Sequence, residues 1–498
     1  MLILTVLLTL GQIHFDDAPL PGVVIGNVTP FTGSVSTNYL QADINQDGET
    51  DLLLPDSLLL QRNGAFDTSA PIPFPPVSPG TDVDTFDGAL FYKSPNQLSI
   101  FRFSEGAWVL SWQQTLDWPE EQSSFLPMNG KSNSLFFRRF ASDIDGDGTP
   151  ELVATDHRGI HLFRRIDKAY VAAGVIDFPS NISIGRSAPR PIWPEDQRRV
   201  AFPEQQMSFR FVIERGAIQT VAIRERRNDA NRYGIQQRTL TLGDTGVFEA
   251  GAPRSVISEP LPSHLRPCRL NDDDVLDYAG GRWLRSESGP IPTPLFELWA
   301  TLDGGRTFYI QRAAAYTQFR PHCSFVDFDG DGDMDMVMES AEWPRGSLRE
   351  QLNKFLTDAT VRHIIKIYQL DGGVYSRDPA IELAVEIDLG SPPMRPGIML
   401  SRYEAGTIFN ITGDLNGDHF RDLLVRTGPE TLAIFIADGW AGFRNRPQWT
   451  DSVARSSDVL VADLNGDGLS DLYVNTRSDV TEDMPAPGLV RYARLEQP

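Results

Sequence analysis

Asp463-Leu-Asn465-Gly-Asp467-Gly468-Leu-Ser-Asp471-Leu-Tyr-Val474 is an acidic loop that runs directly into an apolar stretch. The same nine-residue frame returns as Asp43-Ile-Asn45-Gln-Asp47-Gly48-Glu-Thr-Asp51, as Asp143-Ile-Asp145-Gly-Asp147-Gly148-Thr-Pro-Glu151 and as Asp327-Phe-Asp329-Gly-Asp331-Gly332-Asp-Met-Asp335. A further copy, Asp414-Leu-Asn416-Gly-Asp418-His419-Phe-Arg-Asp422, has histidine at its sixth position. In the copy Arg269-Leu-Asn271-Asp-Asp273-Asp274-Val-Leu-Asp277, arginine replaces the first acid.

Oxygen-bearing side chains at the first, third, fifth and ninth positions, with a free choice at the seventh, describe a cage for a hard cation. In such a calcium loop the seventh residue contributes only its carbonyl. The seventh position here is Glu49, Thr149, Val275, Asp333, Phe420 or Leu469, as that reading requires. Glycine at the sixth position suits a sharp turn with positive φ. The second position is always apolar (Ile44, Ile144, Leu270, Phe328, Leu415, Leu464), which pins each loop to a core. An EF-hand needs a bidentate Glu at position twelve and a following helix. Position twelve is instead Leu54, Ala154, Gly280, Met338, Val425 or Val474, inside runs that read as short buried strands. The loop therefore joins two strands. Asp, Asn and Gly are also ordinary turn residues, but a fixed spacing with a fixed apolar partner goes beyond turn chemistry. The Arg269 copy reads as metal-free.

A chain of 498 residues exceeds one ordinary hydrophobic core. The repeats favour an array in which each unit buries its face on its neighbours, with a period of about 50 to 60 residues. The wider intervals leave room for units without a complete loop. One begins with a decayed copy at Asp82-Val-Asp84-Thr-Phe-Asp87-Gly88, and another holds strand-like Arg199–Phe202, Phe209–Ile213 and Thr220–Ile223. Three or four short antiparallel strands per unit describe a propeller blade. The last unit runs out near Val490-Arg-Tyr492, so Val23–Ile25 or Ser34-Val35 is expected to supply a missing outer strand and remove the exposed edge. One helix is expected near 347–357, from the capping box Ser347-Leu-Arg-Glu350 and the spacing of Leu348, Leu352, Phe355 and Leu356. It is either packing cover or part of a binding rim.

The net charge of −22 and the lack of a basic stripe exclude nucleic acid as a partner. Two cysteines, Cys268 and Cys323, exclude a disulfide framework and leave either one bridge or two buried thiols, with offset positions favouring thiols. Residues 1–15 are expected to be a signal peptide and 16–498 a single domain. The apolar start is too short to span a bilayer, although it lacks a basic leader and a clear cleavage site and also fits a buried first strand. No other segment could cross a membrane. Weak calcium sites belong outside the cytosol, so the expected location is secreted or at the cell surface.

No His-Glu-x-x-His, Gly-x-Ser-x-Gly, phosphate-binding Gly loop or Cys-x-x-Cys is present. His157 and His161 share a strand face but have no evident third ligand. Tryptophans such as Trp112, Trp440 and Trp449 suit sugar stacking or blade packing, with packing favoured.

These residues resemble the FG-GAP/VCBS repeats of calcium-binding β-propellers, the repeat of the integrin α-subunit head. Phe31-Thr-Gly33-Ser34 ahead of 42–54, and Phe409-Asn-Ile-Thr-Gly413-Asp-Leu-Asn-Gly-Asp418, look like whole repeats. The resemblance implies an all-β propeller of seven or eight four-stranded blades. It implies about five Ca²⁺ sites, at Asp43, Asn45, Asp47 and Asp51; at Asp143, Asp145, Asp147 and Glu151; at Asp327, Asp329, Asp331 and Asp335; at Asp414, Asn416, Asp418 and Asp422; and at Asp463, Asn465, Asp467 and Asp471. It implies a binding or scaffold module for an extracellular protein or carbohydrate ligand. A glycan-acting, lyase-like enzyme with a site in the funnel, or a structural member of a surface assembly, is the alternative.

Overall fold

The computed structural model describes residues 13–19 and 489–495 and, with short gaps, 40–116, 136–177, 190–192, 210–284, 295–314, 323–342, 360–388 and 409–476. Among them the chain is all-β, and no helix is long and apolar enough to cross a membrane. The helix expected near 347–357 lies outside the described residues.

Seven antiparallel sheets repeat one up-and-down order. The first is Leu40–Ala42, Asp51–Leu53, Ser57–Leu59 and Ile72–Pro73. The second runs Asp82–Phe86, Ala89–Ser94, Gln97–Ser104 and Ala107–Thr115, with Phe136–Phe137 added in parallel beside its first strand. The third is Ala141–Ser142, Glu151–Thr155, Gly159–Ile166 and Ala169–Asp177. Residues 190–257 depart from the pattern. There, Arg190–Ile192 pairs in parallel with Arg210–Val212, and a long hairpin, Ile218–Arg227 with Arg232–Leu242, carries two short edge strands. The regular order resumes with Arg266–Cys268, Asp277–Leu284, Leu295–Thr301 and Tyr309–Ala314. It continues with Cys323–Val326, Asp335–Glu342, Thr360–Tyr368 and Ile381–Asp388. Next come Phe409–Gly413, Asp422–Gly428, Thr431–Phe435 and Trp449–Ser452. The last sheet is Ser457–Ala462, Asp471–Thr476 and Leu489–Leu495, completed by Ile13–Pro19 from the other end of the chain.

The outer strand of the last sheet therefore comes from the N-terminal stretch, but from Ile13–Pro19. The segments expected to supply it, Val23–Ile25 and Ser34-Val35, lie outside the described residues. Its first three residues fall before the boundary expected after residue 15. Pairing along all seven residues, from Ile13 with Leu495 to Pro19 with Leu489, covers an edge that would otherwise present unpaired N–H and C=O groups.

The second strand of each sheet is buried on both faces, which is why it reads as an unbroken apolar run. Met336 and Met338 face the core shared with the preceding sheet, and Val337 the core shared with the next. Leu423 and Val425 join that same core, whereas Leu424 faces the last sheet with Leu432, Ile434, Val459 and Leu472. The sheets thus pack face to face in sequence, each core shared by two neighbours. Two tryptophans serve this packing. Trp112 meets Tyr170 edge-on at 5.5 Å across the second and third sheets, and Trp440 lies 5.2 Å from Phe328 across the next-to-last pair.

The Asp82–Gly88 stretch corrects the expectation of a decayed loop. It is a strand ending in a two-residue turn, with Asp87 at φ 46 and Gly88 at φ 64, both left-handed as a tight hairpin requires. Asp84 is fully buried, and its Oδ2 accepts the N–H groups of Phe140 (2.6 Å) and Ala141 (2.8 Å), tying the second sheet to the third. Its carboxylate is a structural acceptor between the two sheets.

Candidate metal centres

In every regular sheet except the second, the acidic loop joins the first strand to the second. The loops are organised by their own carboxylates. Where the first-position acids are described, their Oδ2 accepts the sixth-position N–H in four copies (Gly48, Gly148, His419 and Gly468, at 2.9–3.0 Å). The third-position Oδ1 accepts the N–H of Asp47, Asp147, Asp331, Asp418 or Asp467 at 3.0–3.4 Å. The fifth-position Oδ1 accepts the N–H of the seventh residue at 2.8–2.9 Å. Two successive backbone reversals are needed. The sixth position has positive φ, as expected, including His419 at φ 75, but so does the fourth: Gln46 at φ 60 and Gly146, Gly330, Gly417 and Gly466 at φ 75 to 79. The glycines at the fourth position are the sequence signal for this second turn, and the ligand spacing alone does not draw on them.

The ninth-position acid does more than line the loop. Asp51, Glu151, Asp277, Asp335, Asp422 and Asp471 are at most 2% exposed. One oxygen of each accepts the second-position N–H (Ile44, Ile144, Leu270, Phe328, Leu415, Leu464) at 2.8–3.1 Å. In four copies the other oxygen accepts an N–H from the third strand (Ala493) or from the residues just past its end (Gln61, Leu370 or Ala437), at 2.8–2.9 Å. Burial pushes these carboxyls up, against the pull of the same N–H groups and with help from the neighbouring loop charges. Asp51 reaches about 6, Glu151, Asp422 and Asp471 about 7, and Asp335 about 8. Such a site gains from a cation that neutralises it.

Two ligands of one calcium ion lie at most about 5 Å apart. Carboxylate oxygens of Asp327, Asp329 and Asp331 all lie within 4.8 Å of one another, and Asp327 Oδ1 is buried with no hydrogen-bond partner. Burial and the adjacent loop charges likewise raise Asp331. Trp440 Nε1 donates to Asp329 Oδ2 at 3.0 Å, and Phe328 packs among Phe420, Trp440 and Phe443 beneath the loop. This donor set fits a hard dication. In the copies at 43, 414 and 463 the third-position Nδ2 donates to the fifth-position Oδ2 at 2.7–3.0 Å, so the amide and the acid already converge.

Asp143, Asp145 and Glu151 form a second cluster within 4.8 Å. A cation already stands in it. Arg164, from the third strand, places Nη2 at 2.7 Å from Asp145 Oδ2 and 3.0 Å from Asp147 Oδ2, with Nε at 3.7 Å from Glu151 Oε1. Burial would raise Asp147, but the Thr149 N–H and the Arg164 guanidinium outweigh it and hold that carboxyl below its usual range. Of the copy at 269, Asn271 and Asp273 are described and Asn271 Nδ2 donates to Asp273 Oδ2 at 3.1 Å; Arg269 lies outside the described residues.

The loops also touch in series. The eighth-position N–H of one copy donates to a carbonyl of the preceding copy: Met334 to Leu270 (2.7 Å), Arg421 to Phe328 (2.9 Å) and Ser470 to Asp414 (2.6 Å). The last loop meets the first sheet, where Gln41 Nε2 donates to the Asp463 carbonyl (3.1 Å) and Gln61 Nε2 to that of Asn465.

Residues 414–474 match the family model of the FG-GAP-like repeat. That stretch is an FG-GAP-like repeat. It begins at the first acid of one loop, crosses the three remaining strands of that sheet and ends just beyond the next loop, so the match covers two of the centres described. A comparison with curated proteins finds no match. Among solved structures, the chain is similar to a mutant of an α-L-arabinofuranosidase from Fusarium graminearum in complex with an iminosugar inhibitor. The identity is 9%, covering 71% of this chain and 91% of that one, with a TM-score of 0.26. At that level the likeness does not extend to function.

Proposed function

We propose that the protein is a calcium-binding β-propeller whose repeated sheets, with the 190–257 unit as a divergent eighth, close through Ile13–Pro19. It acts outside the cytosol as a binding or scaffold module for a protein or carbohydrate partner, with calcium as a structural component. The observation that carries this reading is the convergence of Asp327, Asp329 and Asp331 within 4.8 Å, together with a buried Asp327 Oδ1 that has no hydrogen-bond partner. The contacts of the last loop with the first sheet, and the strand exchanged between the chain ends, support closure. Bound calcium would supply positive charge to loops that otherwise hold several acids against a buried carboxylate.

The chain's own residues define what the ion would do. Asp335, Asp422, Asp471 and Asp51 each bridge the loop backbone to the third strand or to the residues just past its end, so charge at the cage is coupled to the sheet. The carbonyl contacts between successive loops extend that coupling around the array. The integrin-like adhesion role is an analogy of repeat type.

The test is a thermal melt of the purified protein with excess calcium and with excess chelator. A ligand that binds only the folded state stabilises it by about 2.7 kcal/mol at one hundred times its Kd. A Tm that drops under chelator and recovers with Ca²⁺ better than with Mg²⁺ supports the reading. Superimposable melts would make the loops turns and nothing more.

A further inference from the structure

The loop at 143–151 shares its frame with the other acidic loops but differs from them at two places that touch each other. Its ninth residue is Glu151, where the copies at 43, 269, 327, 414 and 463 have aspartate. The second difference lies outside the motif. The tenth residue of each copy pairs with a third-strand residue: Leu52 with Leu59, Leu152 with Phe163, Tyr278 with Thr301, Met336 with Tyr368, Leu423 with Phe435 and Leu472 with Arg491. The residue that follows this partner in the chain is Leu60, Arg164, Leu302, Gln369, Ile436 or Tyr492. Only the copy with glutamate has a cation there.

The two differences form one arrangement. Glu151 Oε2 keeps the bond to the Ile144 N–H at 2.8 Å that every copy makes. Its extra methylene carries Oε1 away from the third-strand backbone to face Arg164 Nε at 3.7 Å. The guanidinium then reaches Asp145 Oδ2 at 2.7 Å and Asp147 Oδ2 at 3.0 Å, the latter a hydrogen bond. Arg164 is only 21% exposed, Asp145 6% and Glu151 0%, so those two contacts are largely shielded from solvent, whereas Asp147, at 39%, sits at the rim. These are the third-, fifth- and ninth-position oxygens that a calcium ion would need at about 2.4 Å.

We propose that Arg164 is the resident cation of the 143–151 loop. It closes that loop to calcium, so the chain has four exchangeable sites, at 43–51, 327–335, 414–422 and 463–471, and one permanently charged, metal-independent loop. A dication drawing on the same oxygens would sit within a few ångströms of the guanidinium and meet its charge before any screening. Arginine suits the role because its planar fork keeps its charge at any pH the protein tolerates and spans several carboxylates at once. Metal loss would then leave the third sheet folded while its counterparts loosen. The count of four rests on the proposed calcium reading, but the exclusion at 143–151 does not.

The test compares bound calcium, by equilibrium dialysis and atomic emission, in wild-type protein and in Arg164→Met, which keeps the aliphatic stem and removes the charge. The expected result is one more ion per chain in the variant. Equal counts, with circular dichroism showing the variant folded, would overturn the proposal. A second measurement does not depend on the variant folding: crystals of the wild type soaked in terbium, read for anomalous peaks. No peak at 143–151 is expected, and a peak there would overturn the proposal. If wild-type protein binds no calcium at all, the propeller's calcium reading falls, yet a single ion gained by Arg164→Met still supports closure by arginine.

Discussion

The loops at 327–335 and 143–151 have the same backbone path and the same cluster of three acids within 4.8 Å, yet they solve their charge problem differently. In the first, a buried Asp327 oxygen has no partner and Asp335 spans two backbone N–H groups, from Phe328 and Leu370. In the second, the Arg164 guanidinium stands among the acids, hydrogen-bonded to Asp147 and 2.7 Å from Asp145 Oδ2, while Glu151 Oε1 makes no hydrogen bond and lies 3.7 Å from its Nε. The nine-residue motif therefore specifies a turn that gathers acids. At 143–151 the cationic side chain reaches those acids from the third strand, at the residue after the strand partner of position ten.

The largest expected effect separates the two ninth-position acids. Asp335→Ala leaves the Phe328 and Leu370 N–H groups buried without an acceptor, at about 1–3 kcal/mol each. Urea unfolding should show a loss of about 2–6 kcal/mol in total. Glu151→Ala removes one such bond and leaves Arg164 its contacts with Asp145 and Asp147, so a smaller loss is expected, and a loss equal to that of Asp335→Ala would break the distinction. Next in size is Phe328→Ala, which removes the ring among Phe420, Trp440 and Phe443. Its expected cost is about 3–5 kcal/mol by the same measurement.

A pH series sharpens the contrast further. Asp335, Asp422 and Asp471 have folded-state values raised to about 8, 7 and 7 from the ordinary 3.8. Between those limits the folded chain holds protons that the unfolded chain has released, so stability falls as pH rises. In chelator, the Tm should therefore decline from pH 5 to pH 8. In saturating calcium the decline should flatten, because an ion takes over the neutralisation. A Tm in chelator that climbs over that interval would contradict the assigned burial. The smallest effect is expected from His419→Gly. A non-glycine residue at φ 75 costs about 1 kcal/mol, so the variant should be more stable by up to that amount, and a loss would assign His419 a contact of its own.

Much of this architecture is legible in the sequence itself. The loops, their position between the first and second strands, the apolar anchors and the strands flanking them follow from spacing and alternation, which local chemistry fixes. Three features are not legible there. Arg164 acts through strand register, and nothing in its own neighbourhood marks it. Asp84 reads as a relic of a metal loop because its role depends on backbone N–H groups at residues 140 and 141, far along the chain. Ile13–Pro19 reads mainly as the edge of a leader because its partner, Leu489–Leu495, lies at the opposite terminus. Contacts of that separation leave no periodic trace in sequence.

Hydrogen exchange measured by mass spectrometry, in calcium and in chelator, tests the central claim most directly because it reads every loop in one experiment. The account predicts that amides of 43–51, 327–335, 414–422 and 463–471 lose protection when calcium is removed, while those of 143–151 keep theirs. Uniform behaviour across the five loops, whether all loosen or none does, would contradict it.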